Sequence, residues 1–222
     1  MRIHNQDYPI QWLNENMMGP NAIRLLDELT QDPNFKLEPG MRVLDLGCGK
    51  GLTSIYLAKS FGVTVFATDL WIDPTENYER FQRFDPNLNI IPVYAEATHL
   101  PFAKGYFDAV VCIDAFQYFG AKDGFMDAFI APLVKQNGII AVSVPGLKHE
   151  FEHGIPEALR EFWVYDDQGE DAMQFHSPEW WQKLWQKSNQ IEFLSAKEMG
   201  CFDLAWREWL NCDNAYAKQD IK

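Results

Sequence analysis

Short apolar runs alternate with amphipathic stretches through the middle of the chain. Five of these runs are apolar on both faces rather than alternating, which predicts parallel strands buried between helices. The stretches between them carry apolar residues at helical spacing, which predicts covering helices. Together they indicate an α/β fold, a parallel sheet with helices on both faces. The predicted strands are 42–46, 63–68, 90–94, 107–113 and 138–144, and the predicted helices between them are 51–61, 74–84 and 125–134.

The two ends of the chain depart from this alternation. Helical spacing over 9–18 and 22–29, interrupted at Gly19-Pro20, predicts a helical cap within residues 1–40. The alternating core occupies 41–146. Residues 147–222 are rich in aromatic and charged side chains, and we interpret them as a substrate-side insertion followed by a sixth strand and a final helix. We interpret all 222 residues as a single domain. In the last part we expect a helix from Ser177 to Trp185, a strand over 191–196 and a helix over 202–210.

Composition narrows the function classes. With 32 acidic against 19 basic residues the net charge is −13, which disfavours a general nucleic-acid binder. No two of the four cysteines form a CxxC pair, so no zinc ribbon is indicated, and a reducing compartment is expected. The first seven residues lack the apolar core of a signal peptide, and no apolar run approaches the ~18 residues of a membrane span. We therefore expect a cytoplasmic protein without a membrane span.

A glycine loop is the most informative segment. The predicted first strand runs into Asp45-Leu46-Gly47-Cys48-Gly49-Lys50-Gly51 and then into a helix. Glycines let the backbone turn sharply and let a ligand approach it, and a helix N-terminus offers free amides. The dinucleotide fingerprint GxGxxG requires glycine where Leu52 stands, and no GxxxxGK run for a phosphate loop exists. The Asp45 carboxylate would repel a pyrophosphate and suits a ligand that bears an ammonium group.

This run resembles motif I of class I S-adenosylmethionine-dependent methyltransferases, the type 11 group in particular. In that family an acidic residue that ends the second strand holds the ribose hydroxyls, and Asp69 stands there. An acidic residue with Ala, followed by Leu-Pro-Phe, contacts the adenine, and Glu96-Ala97 and Leu100-Pro101-Phe102 match, with Glu96 where Asp is usual. The fourth strand begins Phe-Asp and here leads to Asp114 beside the expected methyl donor. The resemblance covers residues 40–146.

The resemblance implies the Rossmann-like class I methyltransferase fold and S-adenosyl-L-methionine as cofactor, with S-adenosyl-L-homocysteine as product. It also implies an antiparallel seventh strand, yet after residue 196 the sequence offers only a helix and a polar end. We therefore expect that strand to be absent or to lie outside this sequence. The expected cofactor-binding residues are Asp45, Gly47, Cys48, Gly49, Gly51, Asp69, Leu70, Trp71, Glu96, Ala97 and Asp114.

No general base stands out from the sequence, and an amine or thiolate acceptor would need none. The candidates are Asp114, Tyr118, His149 and Glu150. His149 to His153 formally matches the zinc motif HExxH, but Gly154-Ile155-Pro156 breaks a helix at once and no third ligand is evident. We expect a loop over the active site there and no metal.

The sequence therefore predicts a methyltransferase that acts on a small molecule by direct SN2 transfer. Its acceptor site is expected from residues 1–20 and 147–187, outside the repeating core. A nicotinamide-dependent oxidoreductase is the alternative that Leu52 and Asp45 disfavour. A non-catalytic S-adenosylmethionine-binding protein stays open, because binding motifs say nothing about turnover. The sequence leaves open the acceptor, the atom methylated and the choice between monomer and homodimer.

Overall fold

A five-stranded, fully parallel sheet organises the structure. The computed structural model describes residues 4–163, 165, 171–172 and 174–220. The strand order is β3-β2-β1-β4-β5, so the order reverses between β1 and β4. In such sheets ligands bind at the carboxyl ends of the strands beside that reversal. The strands are β1 (Arg42–Leu46), β2 (Thr64–Asp69), β3 (Ile90–Tyr94), β4 (Phe107–Ile113) and β5 (Val134–Ser143).

Eight α-helices accompany the sheet in the described residues, and they confirm most of the predicted helical stretches. A four-residue helix, α5, falls where no element was predicted, and α8 occupies the expected polar end, of which residues 221–222 lie outside the described residues. No described helix has both the length and the apolarity needed to cross a bilayer. The helices are α1 (Ile10–Asn16), α2 (Ala22–Leu29), α3 (Leu52–Phe61), α4 (Pro74–Phe84), α5 (Glu157–Arg160), α6 (Pro178–Trp185), α7 (Phe202–Leu210) and α8 (Ala217–Asp220).

The sheet divides the core into two apolar layers. Neighbouring residues of one strand serve opposite layers: Val43 of β1 packs with α2, α3 and α7, whereas Leu44 packs with the layer that contains Phe116 and Trp181. Both residues are fully buried, as are most of β4. This two-sided burial is why apolar residues occupy consecutive positions in β1 and β4, and it confirms the predicted parallel α/β fold.

The predicted helix over 125–134 is wrong in its second half. A single π-type turn covers Met126–Ile130 and a 3₁₀ turn covers Ala131–Leu133. Pro132 has no amide to continue a helix, so the chain enters β5 at Val134, which pairs with Phe107. The pairing register shifts between this pair and the next, Ala109 with Ile139, and Asn137 between them on β5 has a φ of +63°. The strand therefore begins four residues before the predicted start at 138 and contains an irregularity that its sequence pattern concealed.

The predicted sixth strand over 191–196 is also wrong. The segment has no regular secondary structure, no backbone hydrogen bond joins it to β5, and Leu194 is 60% exposed. Only the side chains of Ile191 and Phe193 pack inward, against the layer around Trp185. A strand needs a partner, and the described residues provide neither this strand nor a seventh. The outer edge of β5 carries no paired strand within the described part of the chain.

The predicted helical cap lies against the carboxyl-terminal helices. Arg24 of α2 forms a bidentate pair with Glu208 of α7, at 2.6 and 2.5 Å. Asn21, the N-cap of α2, donates to the same carboxylate at 2.8 Å, and its amide bonds to the carbonyl of Ala205. Asn214 donates to the carbonyl of Met17 at 3.2 Å. The two ends of the chain thus meet next to the strand reversal.

Candidate active site

The glycine loop follows β1 and bends back over the end of β2. The amides of Gly47 and Cys48 both donate to the carbonyl of Thr68, at 2.8 and 3.1 Å. Gly47, Gly49 and Gly51 adopt φ angles of +71°, +52° and +80°, a region that glycine adopts without steric cost. The alternating glycines are therefore needed by the backbone itself, as the sequence predicts for a sharp turn before a helix.

Close packing also requires two of these glycines. A Cβ at Gly47 would overlap the side chain of Ala115, beyond the end of β4, and a Cβ at Gly51 would overlap the ring of Phe81 in α4. Cys48 is buried, and burial raises the pKa of its thiol well above the usual value. Cys48 is thus an inert packing residue whose backbone shapes the loop.

Asp45 lies at the end of β1, fully buried beneath the loop. Its Oδ2 accepts hydrogen bonds from the hydroxyls of Thr53 and Ser54, at 2.7 and 2.6 Å, and so ties the strand to α3. Its Oδ1 is buried with no hydrogen-bond partner among the described residues. Burial raises the pKa of Asp45 to about 6, against those two hydrogen bonds, and the charge of Asp69 adds to the rise. One carboxylate oxygen is therefore available to a donor from a ligand.

Asp69 ends β2 and organises the backbone around it. Its Oδ2 accepts the amide of Gly49 at 2.8 Å, and its Oδ1 accepts the amides of Trp71 and Ile72 at 2.7 and 3.0 Å. The residue is 8% exposed. The carboxylate thus bridges the glycine loop and the segment after β2, and Oδ2, which accepts one amide only, retains a lone pair for a further donor. Its binding to ribose stays a prediction.

Glu96 and Ala97 follow β3 and differ in exposure. Ala97 is buried, whereas Glu96 is exposed and accepts a hydrogen bond from the Thr98 hydroxyl at 2.8 Å. The carboxylate is therefore free of deep packing and lies in a local turn. The adenine contact predicted for this pair stays a prediction.

Two exposed aromatic rings meet above the strand reversal. Trp71 follows β2 and is 63% exposed, and Tyr118 follows β4 and is 58% exposed. Their ring centroids lie 5.1 Å apart in an edge-to-face arrangement. Leu70 beside them is also exposed. The segments after β2 and β4 are thereby brought together across the end of β1, which lies between them in the sheet.

Asp114 follows β4 in a left-handed conformation, with φ +58°. Its amide donates to the carbonyl of Ser143 at 2.7 Å, and Gln117 donates to its carbonyl oxygen at 3.2 Å. Burial raises the pKa of Asp114 to about 7 despite the Gln117 amide, and the negative charge of Asp220 contributes to the rise. Burial and the Asp114 carboxyl likewise raise the pKa of Tyr118. Asp114 is therefore suited to exchange a proton near neutral pH.

The turn between α1 and α2 lies directly on this site. A Cβ at Gly49 would come within 2.9 Å of the sulfur of Met18, and a Cβ at Gly19 would overlap the Asp114 carboxylate. Lys50 reaches from the glycine loop to the carbonyl of Glu15 at 2.9 Å. The helical cap therefore covers one side of the site. The sequence predicts that this part of the chain contributes to the site, but only as the range 1–20.

The structure places His149 and Glu150 elsewhere, in the segment after β5. Residues 149–153 are not helical, so the two histidines of the HExxH match do not share a helix face. Among the described residues, no group of three or more His, Cys, Asp and Glu could hold a metal ion. Glu150 instead contacts His176, a residue that sequence reasoning missed because it stands 26 positions away. Gln117 was missed too, although it lies three residues from Asp114.

Comparison with known proteins adds the family. A family model described as a methyltransferase domain matches residues 18–190. The chain is 33% identical over 107 residues to 2-methyl-6-phytyl-1,4-hydroquinone methyltransferase of a Synechocystis strain, which covers 48% of this chain and 33% of that protein. It is 26% identical over 117 residues to norajmaline N-methyltransferase of Rauvolfia serpentina, covering 49% of this chain and 39% of that protein.

A solved structure extends the likeness to nearly the whole chain. Phosphoethanolamine N-methyltransferase 2 of Haemonchus contortus, solved with S-adenosyl-L-methionine, superposes with a TM-score of 0.72 at 19% identity. The match covers 96% of this chain and 50% of that one, so this chain spans half or less of these relatives. At that identity the likeness shows the fold. With the family match over residues 18–190, the chain belongs to the methyltransferase domain family.

Proposed function

We propose that the protein transfers a methyl group from S-adenosyl-L-methionine to a small molecule by direct SN2 displacement. One observation carries the proposal: Asp45 and Asp69 end neighbouring strands on either side of the glycine loop, and Asp45 keeps a buried oxygen without a partner among the described residues. A buried acceptor without a donor is costly, and an ammonium group supplies the missing donor. The residues present therefore fit this cofactor.

Each end of the cofactor has candidate partners in the chain. Gly47 and Gly49 expose backbone for the aminocarboxylate end, and Asp45 lies beneath them for the ammonium. Oδ2 of Asp69 retains a lone pair for a ribose hydroxyl. Trp71 offers an exposed ring for the adenine face, and Glu96 an exposed carboxylate for the adenine amino group. A pyrophosphate would meet both carboxylates, which disfavours a nicotinamide dinucleotide.

The chemistry needs alignment more than activation. When bound, the cofactor supplies a methyl group on a sulfonium, whose carbon–sulfur bond breaks as the bond to the acceptor atom forms. The chain holds the two reactants together, which contributes on the order of 7–11 kcal/mol in the best cases. Asp114 is placed to accept the acceptor's proton where it has one to lose. The cap and the Trp71–Tyr118 pair border this edge of the sheet.

The acceptor is a small molecule rather than a nucleic acid, since the net charge of −13 repels phosphate backbones. All four cysteines are free, which fits the reducing cytoplasm as the place of action.

Calorimetry tests the cofactor assignment. The protein is titrated with S-adenosyl-L-methionine, S-adenosyl-L-homocysteine and NADH, and we expect the first two to bind and NADH not to bind. Binding of NADH alone would replace the proposal with the oxidoreductase. Methyl-labelled cofactor incubated with metabolite pools then tests turnover, and cofactor binding without labelled product in any pool would favour a non-catalytic role.

A further inference from the structure

A cavity of about 340 Å³ lies between the segment that follows β5 and the first turns of α6. Its lining contains no residue of the glycine loop and neither Asp114 nor Gln117. Two chain segments form it, and both follow residue 146, where the alternating core of strands and helices was predicted to end. Its lining residues are His149, Glu150, Ser177, Glu179, Trp180 and Lys183.

A fixed carboxylate forms one side of the cavity. Glu150 accepts the Ser177 amide through Oε1 at 2.6 Å and contacts Nδ1 of His176 through Oε2 at 3.1 Å. Burial opposes its ionisation, but these hydrogen bonds hold the pKa of Glu150 below its ordinary value. Ser177 in turn caps α6 by accepting the Trp180 amide at 3.3 Å. Glu150 is thus both charged and locked in orientation.

A fixed aromatic ring forms the next side. The His176 ring stacks on Trp180 with 3.5 Å between centroids and a 4° interplanar angle, and Trp181 meets Trp180 edge-on at 5.1 Å. A preorganised indole beside a carboxylate is the arrangement that binds organic cations, because the ring face and the charge attract the same ligand.

The remaining charges favour a cation as well. Glu179 and Lys183 stand one turn apart on α6, form no ion pair with the described part of the chain, and largely offset one another. Glu150 is then the remaining carboxylate of the lining, held by the Ser177 amide and the His176 ring. The net charge of −13 gives the whole molecule a field that attracts cations.

The segment that forms one side of the cavity leaves the sheet beside Asp114. β5 ends at Ser143, whose carbonyl bonds to the Asp114 amide, and the chain then passes directly to His149 and Glu150. A Cβ at Gly146 would overlap the carbonyl of His176, so this segment is packed tightly on the start of α6. This segment therefore connects the cavity with the carboxyl end of β4.

We propose that this cavity binds an ammonium group of the methyl acceptor, with Glu150 supplying the charge and Trp180 the aromatic face. The inference rests on the proposed methyl-transfer function and adds the chemical class of its acceptor, an organic amine that is cationic at neutral pH. The cavity serves recognition, whichever atom of the acceptor receives the methyl group.

Nuclear magnetic resonance with ¹⁵N-labelled indoles tests this binding without turnover. The probes are 2-phenylethylammonium and its neutral analogue 2-phenylethanol, and Trp180→Phe assigns the Trp180 signal. We expect the amine to shift that signal in a saturable way and the alcohol not to shift it. Glu150→Gln, which keeps an acceptor for the Ser177 amide, weakens the amine at least tenfold. Glu152→Gln, on the same segment but outside the lining, leaves the affinity unchanged.

Three results would overturn the inference: equal shifts by amine and alcohol, no shift of the Trp180 signal, or an unchanged affinity in Glu150→Gln. Titration of S-adenosyl-L-homocysteine on the same samples separates this failure from failure of the proposed function. Cofactor binding without amine binding removes only the cavity assignment. Amine binding without cofactor binding removes the methyl-transfer function and the acceptor role of the cavity with it.

Discussion

Asp69 combines two tasks in one carboxylate. It holds the amides of Gly49, Trp71 and Ile72, and it is the proposed acceptor for the ribose hydroxyls. We expect Asp69→Ala to weaken binding of S-adenosyl-L-homocysteine at least tenfold, ~1.4 kcal/mol or more, because the ribose loses its acceptor and the glycine loop loses the carboxylate that holds it. Titration calorimetry measures the change.

Asp73→Ala is the matched control for this change. Asp73 caps α4 a few residues further on and accepts the amides of Thr75 and Glu76, so it too organises backbone, but it is not a proposed cofactor ligand. Its removal is expected to leave the affinity within twofold, a factor of two being about 0.4 kcal/mol. Equal affinity in Asp69→Ala and the unmodified protein would refute the ribose assignment.

Asp114 makes a prediction about stability and pH. Folding raises its pKa from 3.8 to about 7, so the folded protein holds the proton more tightly than the unfolded chain. Its contribution to stability is therefore full at low pH and is lost as the pH rises from about 4 through 7. The substitution Asp114→Asn removes this titration, and asparagine also tolerates the φ of +58° at this position.

We therefore expect Asp114→Asn to raise the free energy of unfolding at pH 8, by up to about 4 kcal/mol, and to have little effect at pH 4. Thermal denaturation at both pH values measures this. The same variant is expected to slow transfer to an acceptor that must lose a proton. An equal change in melting temperature at pH 4 and pH 8 would show that the carboxyl is not titrating as described.

At the scale of elements, the sequence predicts an element correctly where its own residues determine it, and incorrectly where a distant pairing partner determines it. The strands β1 and β4 were predicted at their observed bounds, since burial on both faces requires consecutive apolar residues such as those at 43–44 and 109–113. The start of β5 was not, because pairing of Val134 with Phe107 overrides a stretch that reads as helix. Residues 191–196 carry strand-forming side chains, yet they lack the partner that a strand requires.

The candidate site divides in the same way. The glycine loop and Asp69 were found because each stands at a fixed distance from the end of a strand. The contacts of Gly19 with Asp114 and of Glu150 with His176 join segments far apart in sequence, and no local pattern marks them. The role of Gln117 depends on the left-handed turn at Asp114, which the sequence did not reveal.

A substitution at Gly19, in the turn between α1 and α2, tests the contact between the cap and Asp114. A Cβ at Gly19 would overlap the Asp114 carboxylate, although the φ of Gly19 lies outside the left-handed region and so permits alanine. We expect Gly19→Ala to push the cap from the site, lowering stability by about 1–3 kcal/mol and weakening S-adenosyl-L-homocysteine. Denaturation and calorimetry report the two effects.

Gly200→Ala serves as its control. A Cβ at Gly200 would lie 3.6 Å from the Glu28 carboxylate, an ordinary contact, and its φ is also outside the left-handed region. It should leave cofactor affinity unchanged. Were Gly19→Ala to behave like Gly200→Ala, the cap would not be in contact with Asp114 in solution.

At the scale of the whole molecule, hydrogen bonds join the amino-terminal cap to the carboxyl-terminal helices beside the site. Glu28 of α2 accepts the amides of Gly200 and Cys201, each at 2.7 Å, and α8 brings Asp220 close enough to raise the pKa of Asp114. The indole Nε1 of Trp209 donates to the Asp220 carboxylate at 2.8 Å. The cap contacts both the glycine loop and these helices. Any movement of the cap away from the site must therefore break hydrogen bonds to residues that are distant in sequence from the cofactor residues.

Asn214 provides the contact that tests this dependence, since its amide donates to the carbonyl of Met17, next to the Met18 that covers Gly49. A net hydrogen bond contributes about 1 kcal/mol, a factor of roughly five. We expect Asn214→Ala to raise the association and dissociation rates of S-adenosyl-L-homocysteine by about that factor, measured by stopped-flow. Asn211→Ala loses only a bond to the Arg207 carbonyl of α7 and should leave both rates unchanged. Equal rates in the two variants would mean that the cofactor enters without release of the cap from the carboxyl-terminal helices.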